Sequence, residues 1–197
     1  MLRDYPPLSL RLLQTSAGYA QPTQVVPERV TLEDAAQHVM TDFRSVTAII
    51  ILSGDSLDEA HRRMIQRGVR LLLVVDQDRR VVGVITATDI LGEKPVQVIT
   101  QRGLRREELV VRDIMTPQDR IEVLDLAAVR VAKVGHVVAT LKRSGRQHAV
   151  VVEHDAGGRQ SVRGVFSATQ IARQLGVTFT TSEIARTFSE IEAQLAR

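Results

Sequence analysis

The chain has 197 residues, 44% of them hydrophobic and 25% charged, which excludes a wholly disordered polymer and supplies core for one ordinary domain or two small ones. Its 26 Lys+Arg against 23 Asp+Glu leave a formal charge of only +3, and with 2 Tyr, 4 Phe and no Trp it lacks both the charge and the stacking surface of a nucleic-acid binder. The absence of cysteine removes disulfide frameworks, thiolate nucleophiles, thiolate zinc sites and iron–sulfur clusters together.

Residues 1–30 come first, and Pro6, Pro7, Pro22 and Pro27 predict an extended N-terminal arm without regular structure. The opening Met1-Leu2-Arg3-Asp4-Tyr5-Pro6-Pro7 has an early acid and two prolines where a secretory signal needs a basic start and an apolar run, so a cytoplasmic location is expected. No stretch approaches the roughly 18 apolar residues of a membrane helix, and no membrane partner is expected.

From residue 31 onward one pattern occurs twice. The first copy, 31–92, has Met40-Thr41, then Gly68, the apolar run Leu71-Leu72-Leu73-Val74-Val75, and Gly83-Val84-Ile85-Thr86-Ala87-Thr88-Asp89-Ile90. The second copy, 111–176, has Met115-Thr116, then Gly145, Ala149-Val150-Val151-Val152, and Gly164-Val165-Phe166-Ser167-Ala168-Thr169-Gln170-Ile171. Offsets between landmarks are 75 (Met40 to Met115), 77 (Gly68 to Gly145) and 81 (Gly83 to Gly164). The second copy therefore carries two insertions, around Leu126 to Lys133 and at Asp155-Ala156-Gly157-Gly158-Arg159, both expected in surface connections.

Local signals predict the elements. Ser56 and Glu59 form a capping box, Leu57, Ala60, Met64 and Ile65 an apolar stripe, and Gly68 a stop. The counterpart helix runs from about Val134 to Ser144, burying Val134, Val137, Val138 and Leu141 before Gly145. The short Val/Leu/Ile runs that follow are strands, so each copy reads β-α-β-β-α. A unit of about 60 residues buries too little surface to stand alone, so the two should pack together. In the linker, 93–110, Pro95 opens and Gly103 closes a short helix. Within 177–197, Thr180 and Glu183 cap a C-terminal helix with Ile184, Phe188, Ile191 and Leu195 on one face.

The repeated landmarks, in particular Asp113-Ile114-Met115-Thr116-Pro117 and a Gly-x-x-Thr/Ser-x-x-Asp pattern, resemble the cystathionine-β-synthase (CBS) domain. Two copies resemble a CBS pair, or Bateman module. The resemblance implies an α/β fold of two β-α-β-β-α units packed as a pseudo-two-fold pair, with clefts that bind adenine nucleotides or related adenosyl compounds. It makes Asp89 a ribose ligand and Thr86 a phosphate ligand. A carboxylate at a helix start suits two ribose hydroxyls, and a hydroxyl one turn earlier, beside backbone N–H groups, suits a phosphate oxygen. The competing reading is that Thr88 or Asp89 simply caps the helix that follows.

The second copy departs from this pattern: Ser167 holds the hydroxyl position, but Gln170 replaces the acid. An amide lacks the charge of a two-hydroxyl clamp, so one competent and one degenerate or differently selective cleft are expected. Leu73 and Val150 stand where many members of the family have proline. Arg70, Arg112 and Arg120 are candidate phosphate partners, and Arg70 matches a basic position in the nucleotide-binding γ subunit of AMP-activated kinase. For Arg112 and Arg120 the solvated alternative is the better one. His148, before an apolar strand, reads as a packing histidine.

No Walker loop, Gly-x-Ser-x-Gly elbow, cysteine nucleophile or metal-ligand histidine spacing is present, so neither catalysis nor a metal site is expected. The reading is a stand-alone regulatory module that requires no cofactor. It binds AMP, ADP, ATP or a related adenosyl compound through Thr86, Asp89, Arg70, Ser167 and Gln170. It would act through a homodimer or an unidentified regulated protein. The alternative is a ligand-free dimerisation scaffold.

Overall fold

The computed structural model describes residues 24–177; the predicted C-terminal helix and the first part of the arm lie outside them. In chain order the elements are β1 (Met40–Asp42), β2 (Ile50–Leu52), α1 (Leu57–Arg67), β3 (Leu71–Val75), β4 (Val81–Thr86), α2 (Ala87–Leu91) and α3 (Lys94–Arg102). They continue with α4 (Val111–Ile114), β5 (Thr116–Pro117), β6 (Val123–Asp125), α5 (Leu126–Val131), α6 (Val134–Ser144), β7 (His148–His154), β8 (Gln160–Ser167) and α7 (Ala168–Gln174).

The main helices follow the sequence signals. Ser56 accepts the Glu59 N–H at 3.1 Å, while the Glu59 carboxylate turns outward to Arg62 and Arg63 instead of closing the box. Gly68, Gly103 and Gly145 end α1, α3 and α6 at φ 63°, 66° and 63°, the left-handed region where a side chain is strained. The Asp155–Arg159 insertion is an exposed hairpin turn, as expected. The other insertion is also a surface connection, with Ala127, Ala128, Arg130, Val131 and Lys133 exposed, but a helical one. It forms α5, capped by Asp125 accepting from Ala127 N–H, with Leu126 and Val129 buried one turn apart.

Each copy sends its first strand into the other's sheet. One sheet has the order β1-β8-β7-β6 and the other β2-β3-β4-β5, so Met40–Asp42 pairs antiparallel with β8 and Thr116–Pro117 with β4. A twinned pair of isolated bridges, Ala35 with Lys133 and Ser56 with Val110, repeats this exchange next to the helices. The landmark glycines explain how the crossing strand fits. A Cβ at Gly83 would lie 2.7 Å from the Thr116 carbonyl oxygen, and one at Gly164 would meet the Thr41 carbonyl oxygen well inside contact distance.

The exchange divides the apolar residues into three groups. One core combines Ala36, Val39 and Met40 with Val134, Leu141, Val151 and Phe166; another combines Leu109, Val111 and Ile114 with Ile51, Leu57, Leu72 and Ile85. Between the sheets, Leu73, Val84, Val150 and Val152 form the third and join the halves. Leu73 and Val150 thus bury apolar surface at the centre of the pair. The described end of the arm lies against the β1-β8-β7-β6 sheet and α7. Gln24 accepts from Asp42 N–H at 2.8 Å and donates to the Met40 carbonyl at 2.7 Å, and Val30 N–H reaches the Gln174 carbonyl at 2.9 Å.

Candidate functional site

Two clefts open between the halves, and each is assembled from both copies. The smaller, about 230 Å³, is lined by Thr86, Thr88, Asp89 and Thr116 on one side and by Glu122, Arg146, Gln147 and His148 on the other. The larger, about 950 Å³, is lined by Ser167, Thr169, Gln170 and Thr41 facing Thr47, Arg67, Arg70 and Leu71. The repeat offsets map one wall set onto the other, Thr86 to Ser167, Asp89 to Gln170, Thr116 to Thr41 and Gln147 to Arg70, and the strand register of β2 and β6 maps Glu122 to Ile49. Leu71 and His148 are twins by the same offsets, and each lines both clefts. The pseudo-two-fold axis passes between them.

In the Asp89 cleft the chemistry starts with a cap. Thr86, not Thr88 or Asp89, is the N-cap of α2: its hydroxyl accepts the Asp89 N–H at 3.2 Å. Asp89 Oδ2 in return accepts from Thr86 N–H at 2.9 Å and from the Thr86 hydroxyl at 2.7 Å. This reciprocal box fixes the carboxylate's rotamer. Its second oxygen, Oδ1, bonds to the Lys94 ammonium. The Asp89 side chain is 12% exposed and that of Lys94 48%, so the lysine covers the carboxylate from the solvent side. Across the cleft Glu122 pairs with Arg146 at 3.1 Å.

Among the described residues the larger cleft has no such carboxylate. Gln170 Oε1 accepts from the Thr41 hydroxyl at 3.3 Å, and Gln170 Nε2 donates to Gln174 Oε1 at 3.4 Å. The buried Gln174 passes on to the Pro27 and His38 carbonyls at 2.7 and 3.1 Å, tying the arm to this wall. Arg70 accepts the Ala87 N–H through its own carbonyl at 2.9 Å, beside Thr86, yet its side chain lines the other cleft with Ser167 and Gln170. The five sequence candidates are therefore split, with Thr86 and Asp89 in one cleft and Arg70, Ser167 and Gln170 in the other. Arg112 and Arg120 line neither.

His148 is more than packing. Burial, reinforced by the Arg70 guanidinium and opposed by Asp89, pushes its imidazole down to about 4. It stands neutral at pH 7 on the shared wall. The sequence reading missed Lys94, Gln147 and Arg146 as site residues. The signal for the last two was available, because the 77-residue offset places them opposite Arg70 and Val69. Among the described residues no group of three or more His, Asp or Glu side chains could hold a metal ion, and no helix is long and apolar enough to cross a membrane.

Two exchanged β-α-β-β-α units that close paired clefts about a pseudo-two-fold axis define a tandem-repeat α/β module. Residues 47–96 match the family model of the CBS domain, and the fold is that of a tandem CBS-domain pair. The uncharacterized protein MJ1225 of Methanocaldococcus jannaschii is 27% identical over 127 residues, covering 59% of this chain and 45% of its own length, so the chain spans under half of that relative. A conserved protein from Pyrococcus horikoshii has a similar structure, with a TM-score of 0.54 at 20% identity over 78% of this chain and 100% of that one. The CBS-domain pair of protein MJ0100, solved in complex with 5′-methylthioadenosine and S-adenosyl-L-methionine, gives a TM-score of 0.50 at 20% identity over 74% and 98%.

Proposed function

We propose that the chain is a regulatory module that binds an adenosyl compound in the Asp89 cleft and transmits its occupancy through self-association or a regulated protein. One observation carries this reading: a nearly buried carboxylate between the halves is held in one rotamer by the Thr86 box, and only a half-exposed lysine covers its outer oxygen. The two hydroxyls of a ribose would replace that ammonium with neutral donors, and the apolar Leu71, Val84, Ile121 and Val150 would receive the base. The adenosyl ligands of the MJ0100 pair support the ligand class.

A scaffold reading, in which the cleft stays closed and the pair only dimerises, draws on the same lysine and on the small 230 Å³ volume. Calorimetry with AMP, 5′-methylthioadenosine and S-adenosylmethionine at up to millimolar concentration separates the two. Binding is expected, and Asp89→Asn should weaken it about 10- to 150-fold, corresponding to about 1.5–3 kcal/mol for hydrogen bonds to a charged group. No heat and no thermal shift with any of the three would leave the scaffold reading in place.

A further inference from the structure

We infer that the arm is switched from the larger cleft: a relay of two side-chain amides, Gln170 and Gln174, makes the docking of residues 24–30 depend on what Gln170 contacts. Gln174 is 3% exposed, and it and Asp89 are the polar side chains buried among the described residues. Both hydrogens of its amide are committed, to the Pro27 carbonyl at 2.7 Å and to the His38 carbonyl at 3.1 Å. That fixes the orientation of the amide and turns Oε1 toward the cleft, where Gln170 Nε2 donates to it at 3.4 Å. Gln170 is oriented in turn by the Thr41 hydroxyl, which donates to its Oε1 at 3.3 Å. The bonds run without a gap from a cleft wall to the arm.

The arm is held in a way that such a relay can control. Val25, Pro27, Glu28 and Arg29 are exposed and only Val30 is buried, so hydrogen bonds rather than apolar burial fasten this segment. At one end Val30 N–H bonds to the Gln174 carbonyl; at the other Gln24 holds the Met40 carbonyl and the Asp42 N–H, on either side of Thr41. Between them the Arg29 guanidinium lies over Gly176, where a Cβ would collide with Nη1, and lines the cleft. A molecule that takes the Gln170 amide for its own hydrogen bonds withdraws the donor from Gln174 Oε1. A buried amide with an unpaired acceptor is costly, and turning it over sets its oxygen against the Pro27 carbonyl. Either way the hold on the arm weakens. In the other half the 81-residue offset places Asp89 and Glu93 at the relay positions. Two carboxylates accept only, so they cannot pass a hydrogen bond along in this way.

The inference concerns the larger cleft and the arm, and does not depend on the Asp89 reading. Amide hydrogen exchange of the full chain reads it at Val30 and Asp42, whose N–H groups bond to the Gln174 carbonyl and to Gln24. Gln174→Met keeps the length of the side chain without its amide, and should speed exchange at Val30 about tenfold or more, with Asp42 moving in the same direction. Gln170→Glu sets a carboxylate against Gln174 Oε1 and should speed Val30 exchange about two- to tenfold, more than Gln170→Met does. In the Gln174→Met background Gln170→Glu should add nothing. Unchanged exchange at Val30 and Asp42 in Gln170→Glu overturns the inference, as does an effect that persists in the Gln174→Met background. Equal effects of Gln170→Glu and Gln170→Met would reduce Gln170 to packing and overturn it too. So would the same acceleration at the amides of β7, which would show a general loosening of the sheet.

Discussion

At twin positions around the pseudo-two-fold axis, Asp89 stands against Gln170, Glu122 against Ile49, Gln147 against Arg70 and Arg146 against Val69. The backbone is the same in both clefts, because the same exchange of first strands and the same helix–strand junctions build each one. What differs is where charge is placed. One cleft pairs its ions internally, Asp89 with Lys94 and Glu122 with Arg146, and is small. The other gathers arginines without carboxylates and is large. The two copies build two containers on one plan, and differences at a few wall positions give them different charge.

The severest way to break the comparison is to disturb the exchange. Gly83 admits the Met115–Thr116 backbone that walls the Asp89 cleft, and Gly164 admits the Met40–Thr41 backbone that walls its twin. Alanine at either position drives a Cβ into a carbonyl oxygen, which cannot move aside as a flexible side chain would. Each substitution should destabilise the protein by about 2–3 kcal/mol, at the upper end of ordinary overpacking, read by urea denaturation. If the halves are equivalent in construction the two losses are similar. Gly83→Ala should then impair 5′-methylthioadenosine binding more than Gly164→Ala does, because only Gly83 supports the Thr116 wall of the Asp89 cleft.

These glycines also mark what the sequence does and does not disclose. Apolar runs and caps announce the longer helices and the central strands, which is why Val134–Ser144 and the Pro95–Gly103 helix are legible in the sequence. They do not announce partners. Met40-Thr41 and Met115-Thr116 read equally well as first strands of their own copies, and only packing against Gly164 and Gly83 shows that they cross over. The same limit applies to the site. Thr86 and Asp89 form a local motif, so they are visible in one stretch of chain. Arg70 is adjacent to Thr86 in the sheet, yet serves the opposite cleft, a consequence of side-chain direction across the axis. Leu126 and Val129 in α5 were a missed local signal, an i, i+3 apolar pair behind an Asp cap.

His148, shared by both clefts, gives a medium-sized effect and reports on both. Its folded pKa near 4 lies below the unfolded value near 6.5, so between these limits the unfolded chain binds more protons than the folded one. The stability it contributes is complete above about pH 6.5 and is lost as pH falls toward about 4. His148→Gln should flatten that part of the stability profile, measured by urea midpoints across the window. Nuclear magnetic resonance titration of the imidazole sharpens the comparison of the clefts. Arg70→Gln should raise the His148 pKa and Asp89→Asn should lower it, because the two neighbours act on its charge with opposite sign. An unchanged pKa in both variants would show that burial alone sets it.

The smallest expected effect comes from the lysine that closes the Asp89 cleft. A ribose reaching Asp89 Oδ1 must first displace the Lys94 ammonium, and a pair whose cation is 48% exposed is worth at most about 1 kcal/mol. Lys94→Ala removes that competition, so 5′-methylthioadenosine should bind up to about fivefold more tightly. At the twin position the other half has Leu175, packed against the core of its own sheet, and among the described residues no cation takes the place of Lys94 there. A weaker adenosyl complex in Lys94→Ala would reverse the assignment of this lysine, making it a partner that follows the ligand rather than a plug that the ligand expels. Comparing Lys94→Ala with Lys94→Met, which keeps the apolar stem, separates loss of the charge from loss of the cover that the stem gives Asp89.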